Sequence, residues 1–76
     1  MVKIYSTQTC PYCEMAKEYL KQNNINYENY DVSTDEKAQE EMINKSHQMG
    51  VPVIDIDGTI IVGFNKSEIN KALNLK

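Results

Sequence analysis

The sequence predicts an α/β fold in which a four-stranded mixed sheet is flanked by helices, and three observations carry that expectation. Short β-rich runs with alternating character are separated by stretches whose apolar residues recur at helical spacing. Pro11 and the cluster Ser33-Thr34-Asp35 mark two helix starts. Asp57-Gly58, set between two β-rich runs, marks a hairpin.

Taken in order, Val2 to Tyr5 reads as a first strand and Ser6 to Thr9 as a polar loop. Pro11 suits the first turn of a helix, because its fixed φ fits and its missing N–H would have had no partner there. Met15, Ala16, Tyr19 and Leu20 supply the apolar face of that helix, and Asn23-Asn24 ends it. Tyr27 to Val32 is a second strand. A second helix starts at Ser33-Thr34-Asp35, has Glu36 in its first turn, carries Ala38, Met42 and Ile43 inward, and is broken before Gly50. Val53 to Ile56 and Thr59 to Val62 form the hairpin. Gly63 to Lys66 turns the chain into a last helix, capped by Asn65 or Ser67, with Ile69, Ala72 and Leu73 inward. The order is β-α-β-α-β-β-α. Strands joined by a helix are parallel with a right-handed crossover, and the last two strands are antiparallel. This is the topology of the minimal thioredoxin fold.

A chain of 76 residues is expected to be one domain, spanning residues 1–76. A domain of this size buries only about 60% of the surface of its unfolded chain, so its stability margin is thin. Secreted domains of this size compensate with several disulfides. Here there are two cysteines three residues apart, and a bridge between them would close too short a loop to constrain the unfolded chain. The first residues alternate apolar and polar with no apolar run of an export signal, so a cytoplasmic location is expected. No stretch is long enough to span a membrane. Net charge is −3, and Lys37, Lys45, Lys66, Lys71 and Lys76 are scattered among Asp and Glu as on a solvated surface. That pattern excludes the electrostatic footprint of a nucleic-acid binder.

The chemistry is concentrated in Cys10-Pro11-Tyr12-Cys13. A C-x-x-C pair near a β-α-β pattern reads as a redox motif. Cys10 falls where the loop meets the first helix, so its thiolate would face unsatisfied N–H groups and the positive end of the helix dipole. Its pKa is therefore expected below the free value of about 8.5. Cys13, one turn in, is placed to attack a mixed disulfide formed on Cys10. Pro11 stiffens the turn, and Tyr12 points outward along the approach to Cys10. Two other readings compete. Half of a zinc site is one, but zinc wants four ligands and only His47 is at hand, so no metal is expected. Two inert buried cysteines are the other. His47, near a helix end, reads as a favourable partial cation there, Phe64 as packing, and Tyr19 and Tyr27 as core or rim.

With these residues in view the chain resembles a glutaredoxin. The match runs from Ile4-Tyr5-Ser6 into Thr9-Cys10-Pro11-Tyr12-Cys13, then Gly50-Val51-Pro52-Val53, then Val62-Gly63, in order over essentially the whole length. The resemblance implies a thiol–disulfide oxidoreductase that reduces protein or glutathione mixed disulfides. Cys10 would be its nucleophile and Cys13 its resolving thiol, with glutathione as reductant. It implies a cis proline at Pro52 facing Cys10, and at Val51 a main chain that pairs with the cysteinyl part of glutathione as an added strand. Pro11, Tyr12, Gly63, Asn65, Lys66 and Gln48 are the remaining candidate binding residues. Backbone N–H groups near Asn65 and Lys66 would take a carboxylate, and Gln48 would offer a further polar contact.

The sequence also departs from that pattern. Thr7 stands where many glutaredoxins have lysine, Gly50 where they often have threonine, and Phe64-Asn65-Lys66-Ser67 where a second glycine and an acidic pair often follow. The segment from Gly63 to Asn70 resembles instead the glutaredoxin-like redoxins that serve ribonucleotide reductase and are recharged by thioredoxin reductase. Three functions are thus carried forward. The first is a glutathione-linked enzyme acting on disulfide-bearing proteins as a monomer. The second is a redoxin recharged by a flavoprotein disulfide reductase. The third is a pair of chains holding an iron–sulfur cluster through Cys10 and glutathione.

Overall fold

The structure is a computed structural model that describes residues 1–74; Leu75 and Lys76, the end of the expected domain and the last of its lysines, lie outside the described residues. The elements are β1 (Val2–Ser6), α1 (Pro11–Gln22), β2 (Tyr27–Asp31), α2 (Glu36–Ser46), β3 (Val53–Ile56), β4 (Thr59–Val62) and α3 (Lys66–Leu73). They form a thioredoxin-like fold with a four-stranded sheet in the order β2-β1-β3-β4. β1 is parallel to β2, while β3 is antiparallel to both β1 and β4.

Each turn has a local cause. Asp35 caps α2 by accepting the Ala38 N–H at 3.1 Å. Asn65, rather than Ser67, caps α3 by accepting the Glu68 N–H. β2 ends at Asp31, one residue before the expected Val32, because the Asp31 side chain takes the Ser33 N–H and its carbonyl takes the Asp35 N–H. In the hairpin, Asp57 at φ +50° and Gly58 at φ +97° supply the two positive-φ residues that a two-residue turn of this hand requires.

Side-chain alternation along β1 and β3 divides the core between the two sheet faces. Val2, Ile4, Ile54, Ile56 and Ile61 pack with Ala16, Leu20 and Ile69 against α1 and α3. Tyr5 and Val53 pack with Val32, Ala38 and Met42 against α2. Phe64 and Tyr19 lie at the rim of the first cluster in an edge-to-face pair.

The α2 face also holds a polar group of residues that corrects one expectation. Lys45 is not a solvated surface lysine. Its ammonium donates to the carboxylate of Asp55 on β3 at 2.6 Å, to the Tyr5 hydroxyl at 3.1 Å and to Glu41 at 3.2 Å. Tyr5 in turn donates to Glu41. The cause is the inward alternation of β3, which turns Asp55 toward α2, leaving it 8% exposed and in need of a counter-charge. Gly58 N–H, at 2.8 Å, satisfies its second oxygen.

Register brings three segments to one end of the sheet. β1 runs toward that end and leads into the loop before Cys10. Val53 opens β3 opposite Tyr5, so Val51-Pro52 lies just beyond the end of that pairing. Val62 pairs with Val53, and the Gly63 N–H donates to the Pro52 carbonyl at 2.8 Å. The turn from Gly63 to Asn65 is thereby anchored beside Pro52.

Candidate active site

Cys10 is the N-cap of α1. Its backbone is extended (φ −137°, ψ 100°), and its carbonyl accepts the Glu14 N–H at 3.1 Å. Proline follows at the first helical position, where no N–H is needed. The capping atom is sulfur: the Cys13 N–H points at Cys10 Sγ at 3.1 Å. The two cysteines are joined as a disulfide, with Cα atoms 5.2 Å apart. Their surroundings differ. Cys13 is completely buried under the α1 face of the core, whereas Cys10 is half-buried between exposed Thr9 and Pro11. Tyr12 is exposed beside them, as expected from its place in the first turn.

The other candidate residues fall on two sides of this end of the sheet. The Val51-Pro52 peptide bond is cis, Pro52 is buried and Val51 is half-buried. Gly63 takes a φ of +82°, a conformation that favours glycine, as it delivers its N–H to Pro52. The Asn65 side chain is committed to capping α3. The Lys66 ammonium lies over the rings of Tyr19 and Phe64, 5.3 and 5.9 Å from their centroids. An open groove of about 250 Å³ runs along this side between Met15, Tyr19, Phe64 and Lys66. Gln48 directs its amide at the Gly50 main chain and at Ser46 Oγ. His47 is exposed and ends α2 in the left-handed conformation. Among the described residues no group of three His, Cys, Asp or Glu side chains could hold a metal ion, and no helix is long and apolar enough to cross a membrane.

The arrangement is that of a dithiol–disulfide pair with one accessible and one sheltered sulfur. The glutaredoxin family model matches residues 2–61. The chain belongs to the glutaredoxin family. Curated relatives extend the match over most of its length. A glutaredoxin-like 8.6 kDa protein in the rubredoxin operon of Clostridium pasteurianum is 59% identical over 73 residues, 96% of this chain and 97% of that protein. Glutaredoxin 3 of Escherichia coli is 37% identical over 62 residues, covering 82% of this chain and 75% of the relative. The glutaredoxin-like protein NrdH of Lactococcus lactis is 35% identical over 74 residues, covering 93% and 97%. Among solved structures, a thioredoxin-like protein superimposes with a TM-score of 0.89 at 30% identity, covering 95% of this chain and 99% of that one. As a glutaredoxin-family protein this chain is a thiol–disulfide oxidoreductase with a C-x-x-C pair.

The contrast between the two sulfurs makes a direct prediction for this glutaredoxin-family site. In the reduced protein, iodoacetamide at pH 7 is expected to alkylate Cys10 at least about tenfold faster than Cys13, because only Cys10 combines access with a facing N–H. Peptide mapping after brief labelling reads the ratio. Faster labelling of Cys13 would reverse the assignment of the two roles.

Proposed function

We propose that the protein is a glutathione-linked disulfide reductase in which Cys10 is the nucleophile and Cys13 the resolving thiol. The observation that carries this reading is the half-buried N-cap sulfur of Cys10 beside a completely buried Cys13 at bonding distance. Cys10 thiolate attacks one sulfur of a substrate disulfide. A bond forms between Cys10 Sγ and that sulfur, and the other substrate sulfur leaves as a thiolate that takes a proton from water. Cys13 thiolate then attacks Cys10 Sγ, closes the Cys10–Cys13 disulfide and releases the second substrate thiol. Two glutathione molecules return the pair to dithiols and leave as glutathione disulfide.

The main chain of Val51, held next to cis Pro52, is the surface on which an extended substrate would pair as an added strand. Pro11 and Tyr12 border the approach to Cys10. Gly63, Asn65 and Lys66 would then border its other side, where the first N–H groups of α3 would favour a carboxylate. Disulfide-bearing proteins are the proposed substrates, the cytoplasm the proposed compartment, and a monomer acting as one domain the proposed form.

A second reading has its own support. The segment Gly63-Phe64-Asn65-Lys66 resembles the redoxin branch, and a relative named NrdH is 35% identical over nearly the whole chain. In that reading a flavoprotein disulfide reductase, rather than glutathione, supplies the electrons. One assay separates the two, comparing turnover with glutathione plus glutathione reductase against turnover with thioredoxin reductase. A Cys13→Ser variant incubated with glutathione disulfide is further expected to gain one glutathione on Cys10 by mass spectrometry. No adduct, together with turnover by thioredoxin reductase, would refute the glutathione reading in favour of the second.

A further inference from the structure

Residues 48–51 connect α2 to the Val51-Pro52 peptide without belonging to any helix or strand. The main chain does little to hold them. Among the described residues, the main-chain bonds outside helices and strands include His47 N–H to the Ile43 carbonyl and Gly63 N–H to the Pro52 carbonyl, but none from residues 48–51. Side chains fill that gap. Ser46, the last residue of α2, places its hydroxyl 2.7 Å from the Met42 carbonyl and 3.0 Å from the Gln48 carbonyl. Gln48 Nε2 donates to the Gly50 carbonyl at 3.0 Å and approaches Ser46 Oγ at 3.3 Å, while Gln48 Oε1 accepts the Gly50 N–H at 2.5 Å. One primary amide thus engages both main-chain groups of Gly50, as a neighbouring strand would. A Cβ at position 50 would lie 2.6 Å from Gln48 Oε1, so a side chain there would push the amide out of this contact.

We propose that Gln48 is a positioning residue for substrate capture: its amide fixes the two peptide groups that flank Gly50 and so presents the adjoining main chain of Val51 to an incoming extended substrate. The proposal rests on the reading of Val51 as a strand-pairing surface given above. It changes the part assigned to Gln48 from contact with the ligand to support of the segment that makes the contact. Val51 is suited to that part, since its own N–H and carbonyl are bonded to no other described residue. A residue acting this way affects how substrate is held and leaves the sulfur chemistry at Cys10 alone. Gly50 and Gln48 act as one unit, so loss of either should remove the same support.

The test uses reduction of a short disulfide-bonded peptide, with dithiothreitol as electron source, so that it does not depend on which cellular reductant is correct. Gln48→Ala is expected to raise KM about tenfold, the effect of losing a net hydrogen-bond pair, while kcat and the iodoacetamide rate of Cys10 stay within about twofold of wild type. Gln48→Glu keeps an acceptor for the Gly50 N–H but loses the donor to its carbonyl, and is expected to fall between the two. Gly50→Ala is expected to match Gln48→Ala, and the double variant to be no worse than either single one. An unchanged KM in Gln48→Ala overturns the proposal. So does a parallel loss of kcat, alkylation rate and melting temperature, which would mark a merely structural role. A wild-type protein that does not turn over the peptide would instead remove the strand-pairing reading of Val51 and this proposal with it.

Discussion

Cys10→Ser is expected to lose disulfide reduction by more than about 10³-fold while folding as well as the reduced wild type. The loss follows from the nucleophile. A serine hydroxyl is not ionised near neutral pH and cannot form the mixed disulfide through which every later step passes. The retained stability follows from the same position. Residue 10 is the N-cap of α1, and serine is among the best residues at accepting the N–H that now points at sulfur. Removing the bridge removes little restraint, because it closes a loop of only a few residues. The measurement pairs steady-state turnover with thermal melting under reducing conditions. Residual activity above about one part in a hundred of wild type would assign the attack to Cys13. A melting temperature lowered by more than a few degrees would show that the sulfur itself supports the fold.

Lys45→Met is expected to be among the most destabilising single changes in the chain, by about 2–4 kcal/mol, or a melting temperature roughly 10–20 °C lower. The variant leaves the Asp55 carboxylate buried on β3 with only the Gly58 N–H. Lys45 is itself part-exposed, which places the effect below that of a fully desolvated pair. The double variant Lys45→Met with Asp55→Asn is expected to recover most of the loss, because asparagine keeps the acceptor for Gly58 and carries no charge. Urea denaturation of the four proteins closes the cycle, and strictly additive losses would show that Lys45 and Asp55 stand apart energetically.

The same group gives stability a pH dependence at both ends. Burial pushes the Asp55 carboxyl up, but the Lys45 ammonium and the Gly58 amide outweigh it and hold the group below the usual carboxylate range. Its contribution is present above the unfolded value of about 3.9 and is lost as pH falls through the lower folded value. Burial, together with the hydrogen bond to Glu41, pushes the Tyr5 hydroxyl up to about 12. Its contribution is full below about pH 10 and is lost as pH rises through the folded value. Lys45 is also raised, since its bonds to Asp55, Tyr5 and Glu41 outweigh burial, and it acts in the same direction. Stability is therefore expected to be flat between about pH 5 and 9 and to fall on either side, more gently in Lys45→Met on the alkaline side.

What was legible in the sequence depended on how local its cause was. Pro11 next to Cys10, Asp35 before a helical period and Asp57-Gly58 between strands each act within a few residues, and each element began where those residues put it. The C-x-x-C pair was legible for the same reason, since a loop-to-helix junction is enough to set its two sulfurs apart. Lys45 and Asp55 were not. Their pairing depends on which face of β3 turns toward α2, and lysine among acidic neighbours gives no sign of it. The choice of Asn65 over Ser67 as cap depended on where the helix begins, a difference of two residues. The Gln48–Gly50 contact is short in sequence, yet it forms because α2 ends at His47 with φ +61°, which turns the chain back past Ser46. Gly50 in place of threonine was the visible signal, since a side chain there would displace the glutamine amide from its contact.

The burial of Cys13 also decides what happens when the protein meets an oxidant instead of a substrate. A peroxide reaching the molecule finds Cys10 first, because the other sulfur has no solvent-facing surface. A sulfenic acid formed on Cys10 would sit beside the Cys13 thiol and is expected to condense with it to the Cys10–Cys13 disulfide, releasing water. The product is the same Cys10–Cys13 disulfide that the structure contains. The sheltered sulfur is thus expected to serve as a safety catch, turning oxidation of the more accessible one into a reversible step.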